Sequence, residues 1–233
     1  MFSAQAERNS RVAAIILAAG RSTRMGEAKQ LLRLGDSTVL GRTIENVCRS
    51  RVDEIILVLG SSAEAILRQL ALGEGIKVVV NQDYGQGMAS SLRAGLSALD
   101  PQVNAALIVL ADQPFVRPET LDRLADQHRC SNADLMVQIV IPTYKGFRGN
   151  PVLLDRSVFS EVMALKGDVG CRAIFGSHLE GMVKVEVEDA GILLDIDNQE
   201  DYQRLQTLRQ SGQEEMVSSI MLKLSKAPGK GKE

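Results

Sequence analysis

Two glycines and three cations crowd the segment behind the first apolar run of the chain. Val12–Ala18 leads into Ala19-Gly20-Arg21-Ser22-Thr23-Arg24-Met25-Gly26, and Lys29 follows closely. Glycine at 20 and 26 allows the backbone to turn sharply and to come close to a ligand. N–H groups exposed in such a turn bind phosphate oxygens. Arg21, Arg24 and Lys29 add fixed positive charge to the same short stretch. A tight strand exit with solvated arginines would share the glycines, but it has no need of three cations among small residues. Two familiar phosphate loops do not fit. G-x-x-x-x-G-K-[ST] fails because five residues separate the glycines and no Lys follows Gly26; G-x-G-x-x-G fails because Ser22 stands where its second Gly belongs.

Acidic residues face this cationic loop. Asp112 follows the apolar run Ala105–Leu110 and precedes Gln113-Pro114. In open parallel sheets, ligands bind at the carboxyl ends of strands, and a carboxylate there suits Mg²⁺. Asp112 could instead cap a following helix, but Pro118 sets that helix start later. Asp195 and Asp197 lie at the end of an expected strand, Ile192–Ile196, where alternate residues share a face. Asp195 is expected as a metal ligand. Asp197 is expected to support it or to cap the helical stretch Gln199–Gln210, whose first turn carries Glu200 and Asp201.

No protein nucleophile is evident. Cys48, Cys130 and Cys171 are far apart and form no C-x-x-C pair, which argues against zinc or a redox dithiol. A sparse, odd count fits a reducing compartment. His128 and His178 are isolated on helical segments and read as surface residues. The formal net charge of −2 gives no basic field for nucleic acid, and 3% aromatics with no Trp offers no stacking platform for single strands. Val12–Ala19 is too short to span a membrane. It also lacks the small-residue cleavage site of a signal peptide, since Arg21 and Arg24 follow. A cytoplasmic protein is expected.

The elements that must position these residues alternate. Val12–Ala18, Glu54–Leu59, Ile76–Val80, Ala105–Leu110 and Leu135–Ile141 are nearly continuous apolar runs, as strands covered on both faces are. Thr38–Arg49, Ala63–Leu72, Ala89–Leu99 and Pro118–His128 between them have helical spacing. This order predicts an α/β fold with a mostly parallel sheet and helices on both faces. Pro151–Leu154 and Met182–Val187 read as further strands, and Asp155–Leu165 as a helix. The expected domain covers residues 11–210, with an N-terminal extension 1–10 and a Lys-bearing tail 211–233, partly disordered.

The run Leu17-Ala-Ala-Gly-x-Ser-x-Arg-Met-Gly-x-x-Lys29 resembles the signature of the nucleotidyltransferases that include the molybdenum cofactor guanylyl- and cytidylyltransferases, the MobA/MocA-like family. The resemblance continues in order: Asn81-x-x-Tyr84-x-x-Gly87-Met88-x-x-Ser91-Leu92, Leu110-Ala-Asp112-Gln-Pro114, Gly149-Asn-Pro151, Gly167-Asp168-x-Gly170-x-Arg172 and Asp195-Ile-Asp197. It covers about residues 11 to 205. It implies a Rossmann-like three-layer sandwich of the nucleotide-diphospho-sugar transferase type. It also implies that Leu17, Ala18, Ala19, Gly20, Arg21 and Gly26 hold the triphosphate, and that Lys29, Arg24 and Asp112 act in transfer. Asp112 and Asp195 would hold Mg²⁺. Asp83 matches a nucleotide-contacting position, although in Asn-Gln-Asp-Tyr-Gly it is also plain turn chemistry. Gly87 and Ser91 would meet the base, while Ser90 beside them could simply cap the helix. Gly146-Phe-Arg148-Gly149-Asn-Pro151 suggests the acceptor side, with Arg148 able to hold a phosphate. Cys171 replaces the family's usual Ala and reads as a small packing residue.

The reaction so implied is attack of an acceptor's phosphate on the α-phosphorus of a nucleoside triphosphate, with release of pyrophosphate. Leu-Ala-Ala-Gly resembles the cytidylyl branch and Leu-Ala-Gly-Gly the guanylyl branch, so Ala19 points to CTP, with molybdopterin as acceptor and a molybdenum hydroxylase as the enzyme served. Alternatives are GTP, a sugar or polyol phosphate acceptor, or a non-catalytic chaperone that inserts the cofactor. Retained Lys29 and Asp112 speak against the chaperone, because a carrier needs no metal site at the α-phosphate.

Overall fold

The computed structural model describes residues 10–20, 28–130, 136–203 and 206. Expectations about Arg21, Arg24, Gly26, the first nine residues, and residues 207–233 lie outside them.

The central ladder joins β1 (Arg11–Ala18) to its parallel neighbours, and the elements follow in chain order. A small antiparallel hairpin of β2 (Arg33–Leu34) and β3 (Ser37–Thr38) precedes α1 (Val39–Cys48). Then come β4 (Glu54–Leu59), α2 (Ala63–Gln69), β5 (Ile76–Val80), α3 (Met88–Ser97), β6 (Val103–Leu110) and α4 (Pro118–Arg129). The second half supplies β7 (Ile139–Tyr144), β8 (Phe147–Arg148), β9 (Val152–Asp155), α5 (Phe159–Ala164) and β10 (Met182–Glu186). The large sheet runs β10-β7-β9-β6-β1-β4-β5, with β8 paired to β7. Its β5-β4-β1-β6 part is parallel, and β9 is inserted antiparallel between β6 and β7.

Alternation along the strands divides the core in two. Val12, Ala14, Ile16 and Ala18 of β1, with Leu107 and Val109 of β6, pack toward α1 and α4. Ile15 of β1, Ile56 and Val58 of β4 and Ile108 of β6 pack toward α3 and α5. Successive strand residues point to opposite faces, so a run apolar at every position fills two layers of helices. That yields the Rossmann-like three-layer sandwich expected of this pattern. Thr38 caps α1 by accepting the Gly41 N–H, and Pro118 opens α4. Among the described residues no helix is long and apolar enough to cross a membrane.

Three local expectations change. Ile192–Ile196 is not a strand: a short 3-10 turn, Ala190–Leu193, leads into irregular backbone. Asp189 accepts the Gly191 N–H and starts that turn; Ile192 and Leu194 gain their burial by packing beneath the sheet edge rather than by pairing in it. Asp155–Leu165 divides into a 3-10 turn, Arg156–Val158, and the short α5. Both histidines are buried, not superficial. His178 sits between Gln138 Oε1 and the Glu161 carboxylate, each 2.9 Å away. His128 Nε2 lies 2.8 Å from Asp155 Oδ2, and its Nδ1 lies 3.3 Å from Ser10 Oγ. An amphipathic ring placed late in α4 can turn inward when a partner waits there, and helical spacing alone does not reveal the partner.

Burial raises the Asp155 carboxyl, but hydrogen bonds from His128 and from Ser157 outweigh it and hold it below its ordinary value of 3.8. A carboxyl lowered in the fold stabilises it above the unfolded value and loses that contribution as pH falls through the folded one. His128→Ala is therefore expected to cost about 1–3 kcal/mol at neutral pH. Because the wild type loses the pair as Asp155 is protonated, the gap between variant and wild type should close as pH falls below 3.8. Urea denaturation from pH 3 to 7 checks this; an offset that stays constant across the range would contradict the assigned pair.

Candidate active site

The parallel ladder sets β1 and β6 side by side with Leu17 opposite Leu110, so both strands end at one edge. The Ala111 N–H donates to Leu17 O at 3.2 Å and carries the pairing one residue further. Gly20 leaves one strand end and Asp112 leaves the other. A cavity of about 520 Å³ opens there, bordered by Leu17, Ala19, Gly20, Lys29, Tyr84, Gly87, Ser91 and Asp112, among others.

Lys29 begins a short 3-10 turn, Lys29–Leu31, on the far side of the loop. Its ammonium donates to Asp112 Oδ2 at 2.6 Å and to Ile196 O at 3.2 Å, and both partners of the ion pair are largely shielded from solvent. The Ile196 N–H in turn donates to Asp112 O at 3.2 Å. The segment bearing Asp195 and Asp197 is thus fastened directly to Asp112 without a strand. Burial first, and then the charge of Asp195, raise the Asp197 carboxyl; Lys29 opposes this and Asp112 adds to it. Three carboxylates and one ammonium therefore share a field, a surplus of negative charge made of hard oxygen donors. That donor chemistry fits Mg²⁺ or a similar divalent ion, which takes one or two carboxylates and completes its shell with phosphate oxygens and water. Among the described residues alone, no three ligating side chains converge on one point. The cap of the last helical segment is Asn198, whose Oδ1 accepts the Asp201 N–H at 2.9 Å, and not Asp197.

Gly87 forms the opposite wall. Its φ is +97°, and a Cβ there would come within 2.5 Å of the backbone of Gly167 and Asp168. Only glycine allows the two loops to touch. Asp168 Oδ1 accepts the Met88 N–H at 3.2 Å and lines the cavity. Asn81 donates to Ser90 Oγ at 2.8 Å and to Ser91 Oγ at 3.1 Å. Ser90 donates to Gly87 O and does not cap the helix, because the N-cap position belongs to Gly87. Ser91 faces the cavity. Asp83 lies outside the lining; its Oδ1 accepts the Gln86 side-chain amide at 2.9 Å. Ala18 does not line the cavity either, and contributes its carbonyl to the Gln30 amide at 3.3 Å. Asp195 stands beside the lining residues rather than among them. Asn81, Asp168 and Gln30 escaped the reading of the sequence for roles here. Asn81 and Asp168 stood within quoted motifs but were given no task, and Gln30 had no signal beyond its place after Lys29.

A second, more apolar cavity of about 250 Å³ adjoins the first. Met88 and Leu110 border both, and Leu92, Val152, Asn150, Cys171 and Arg172 are among the others that line it. Burial pushes the Cys171 thiol up to about 12, which leaves it protonated and unreactive at neutral pH. Arg148 lies on β8, outside both linings.

Replacing Asp195 by Asn removes a like charge from beside Asp197. The Asp197 carboxyl should then titrate closer to 3.8. A carboxyl-detected NMR titration checks the shift, and an unchanged value would remove Asp195 from the causes and leave burial and Asp112.

Comparison with known proteins gives consistent matches. The model of the MobA-like NTP transferase domain matches residues 14–182. Molybdenum cofactor cytidylyltransferase of Escherichia coli (strain K12) is 28% identical over 195 residues, covering 83% of this chain and 94% of that protein. Nicotine blue oxidoreductase of Paenarthrobacter nicotinovorans is 29% identical over 197 residues, covering 83% and 96%. Among solved structures, Rv0371c from Mycobacterium tuberculosis H37Rv superimposes with a TM-score of 0.77 at 36% identity, covering 85% of this chain and 98% of that one. A structure of Rv0371c in complex with manganese gives a TM-score of 0.72 at 32% identity, covering 85% and 99%.

Proposed function

The chain belongs to the family of MobA-like NTP transferase domains and is a nucleotidyltransferase, and on that premise we propose that it transfers CMP from CTP to the phosphate of molybdopterin, with release of pyrophosphate. The observation that carries this reading is the Lys29–Asp112 pair at the carboxyl edge of β1 and β6, 2.6 Å across and bordering a cavity large enough for a nucleotide. The nicotine blue oxidoreductase is as similar as the cytidylyltransferase, so the donor set carries more weight than any relative's name. Ala19 supports CTP: its methyl-bearing residue lines the cavity where a glycine would leave room for a larger base. The E. coli relative named as a molybdenum cofactor cytidylyltransferase supports both the nucleotide and the acceptor. The product would then pass to a molybdenum hydroxylase.

The acceptor brings its own anionic nucleophile, so alignment and charge neutralisation are what the protein must supply. The loop of Gly20 and Gly26, with Arg21 and Arg24, would hold the triphosphate. Magnesium, held by Asp112 with Asp195, would offset charge on the phosphate oxygens; the manganese complex of Rv0371c supports a divalent ion. Lys29 would leave Asp112 for the β- and γ-phosphate oxygens and would offset the charge that builds on departing pyrophosphate. Asp112, freed of its ammonium partner, would then be available to the metal. Gly87 and Ser91 would meet the base. Asp83 would act only through Gln86, whose amide it holds.

Pyrophosphate release, measured with each of the four triphosphates with and without molybdopterin, tests the reading. Release with CTP and molybdopterin together is expected; release with another triphosphate, or with a sugar or polyol phosphate instead, would replace the acceptor or nucleotide named here. Asp112→Ala should abolish transfer while far-UV circular dichroism stays unchanged, and near-normal turnover at saturating Mg²⁺ would remove Asp112 as metal ligand. Lys29→Ala should lower kcat by about 10²–10³ and weaken CTP binding much less. An unchanged kcat would take Lys29 out of the chemistry.

A further inference from the structure

Gln30 borders the larger cavity yet is only 2% exposed. Its Nε2 donates to Ala18 O at 3.3 Å and to Gly20 O at 3.2 Å. A carboxamide nitrogen carries two protons, which matches the two carbonyls that flank Ala19. Ala18 is the last residue of β1, and Gly20 follows two positions later. Gln30 comes from the 3-10 turn on the far side of that loop. One buried side chain therefore ties the entrance of the loop to its exit.

The neighbouring residue attaches the same turn to the other strand end. Lys29 reaches Asp112 Oδ2 and Ile196 O, beyond β6, while Gln30 reaches the end of β1. The turn is thereby braced between two strands whose relative position the ladder fixes. A ligand that meets Lys29 and the end of β1 finds them already placed and does not have to order them. Preorganisation of this kind appears as affinity.

We propose that Gln30 is a positioning residue for the polyphosphate part of the nucleotide. It acts through the Ala18 and Gly20 carbonyls and through the place they give to Lys29. This rests on the reading that the loop after β1 holds the triphosphate. Gln30→Met keeps the length of the side chain and removes both donors; Gln30→Glu replaces them with a charge that repels the two carbonyls.

The test is calorimetric titration of the full chain, in Mg²⁺ buffer, with inorganic tripolyphosphate, with CTP and with cytidine. Gln30→Met is expected to weaken tripolyphosphate and CTP by about tenfold, the scale of one or two lost hydrogen bonds. Gln30→Glu should weaken both further, with the cytidine affinity unchanged in each variant. Wild-type affinity for tripolyphosphate in Gln30→Met would overturn the role of Gln30 alone. An equal loss of cytidine binding would also overturn it, since that is the mark of general loss of structure. Failure of the wild-type protein to bind tripolyphosphate would instead remove the triphosphate reading, and this inference with it.

Discussion

Lys29 and Asp112 are 83 residues apart in the chain, and the ladder between β1 and β6 brings them to 2.6 Å. Because the two strands are parallel and in register up to Leu17 and Leu110, their carboxyl ends coincide, and whatever leaves one end meets whatever leaves the other. The cationic loop leaves β1 and the carboxylate leaves β6. The Asp195–Asp197 segment is fastened to that junction through Ile196 and the turn of Lys29 to the end of β1 through Gln30, while the contact of Gly87 with Gly167 builds the opposite wall of the cavity.

The charge balance of the junction explains its chemistry. Three carboxylates and one ammonium in a partly shielded setting leave negative charge in excess, and burial together with the neighbouring carboxylates raises the Asp197 carboxyl. Fields of this kind are stronger where water is excluded. On the proposed function, the arrangement would suit a ligand that brings a divalent cation and many phosphate oxygens together, because a cation held by the carboxylates would relieve their repulsion and phosphate oxygens would receive Lys29. Neither half of that exchange needs a nucleophilic side chain, and the one cysteine beside the site is held protonated by its burial.

Buried polar groups outside the cleft fasten both ends of α4. Asp189 accepts the Arg117 N–H and the Thr120 hydroxyl at the start of α4 and the Gly191 N–H of the late turn, so one carboxylate joins two segments 72 residues apart. His128 joins the end of α4 to the end of β9 and the start of β1. These groups hold helix and strand ends in place around the cleft.

Much of this was legible in the residues themselves. Continuous Val, Ile and Leu runs alternating with helical periods fix a two-sided parallel sheet, because a strand buried on both faces tolerates no polar alternation. Glycines, cations and Asp112 at strand exits mark the cleft, because ligands bind where parallel strands end. Sequence spacing failed where packing replaced pairing: Ile192–Leu194 is apolar because it is buried under the sheet edge, and apolar content alone cannot separate that from a strand. It failed also for His128, His178, Asn81 and Gln30, whose meaning lies in partners 9 to 118 residues distant or in carbonyls that only the fold aims at them. Residue type and periodicity are local, and they determine which elements form and which groups could do chemistry. Which of those groups meet is decided by hydrogen-bond register between strands and by burial, and both exist only in the assembled fold.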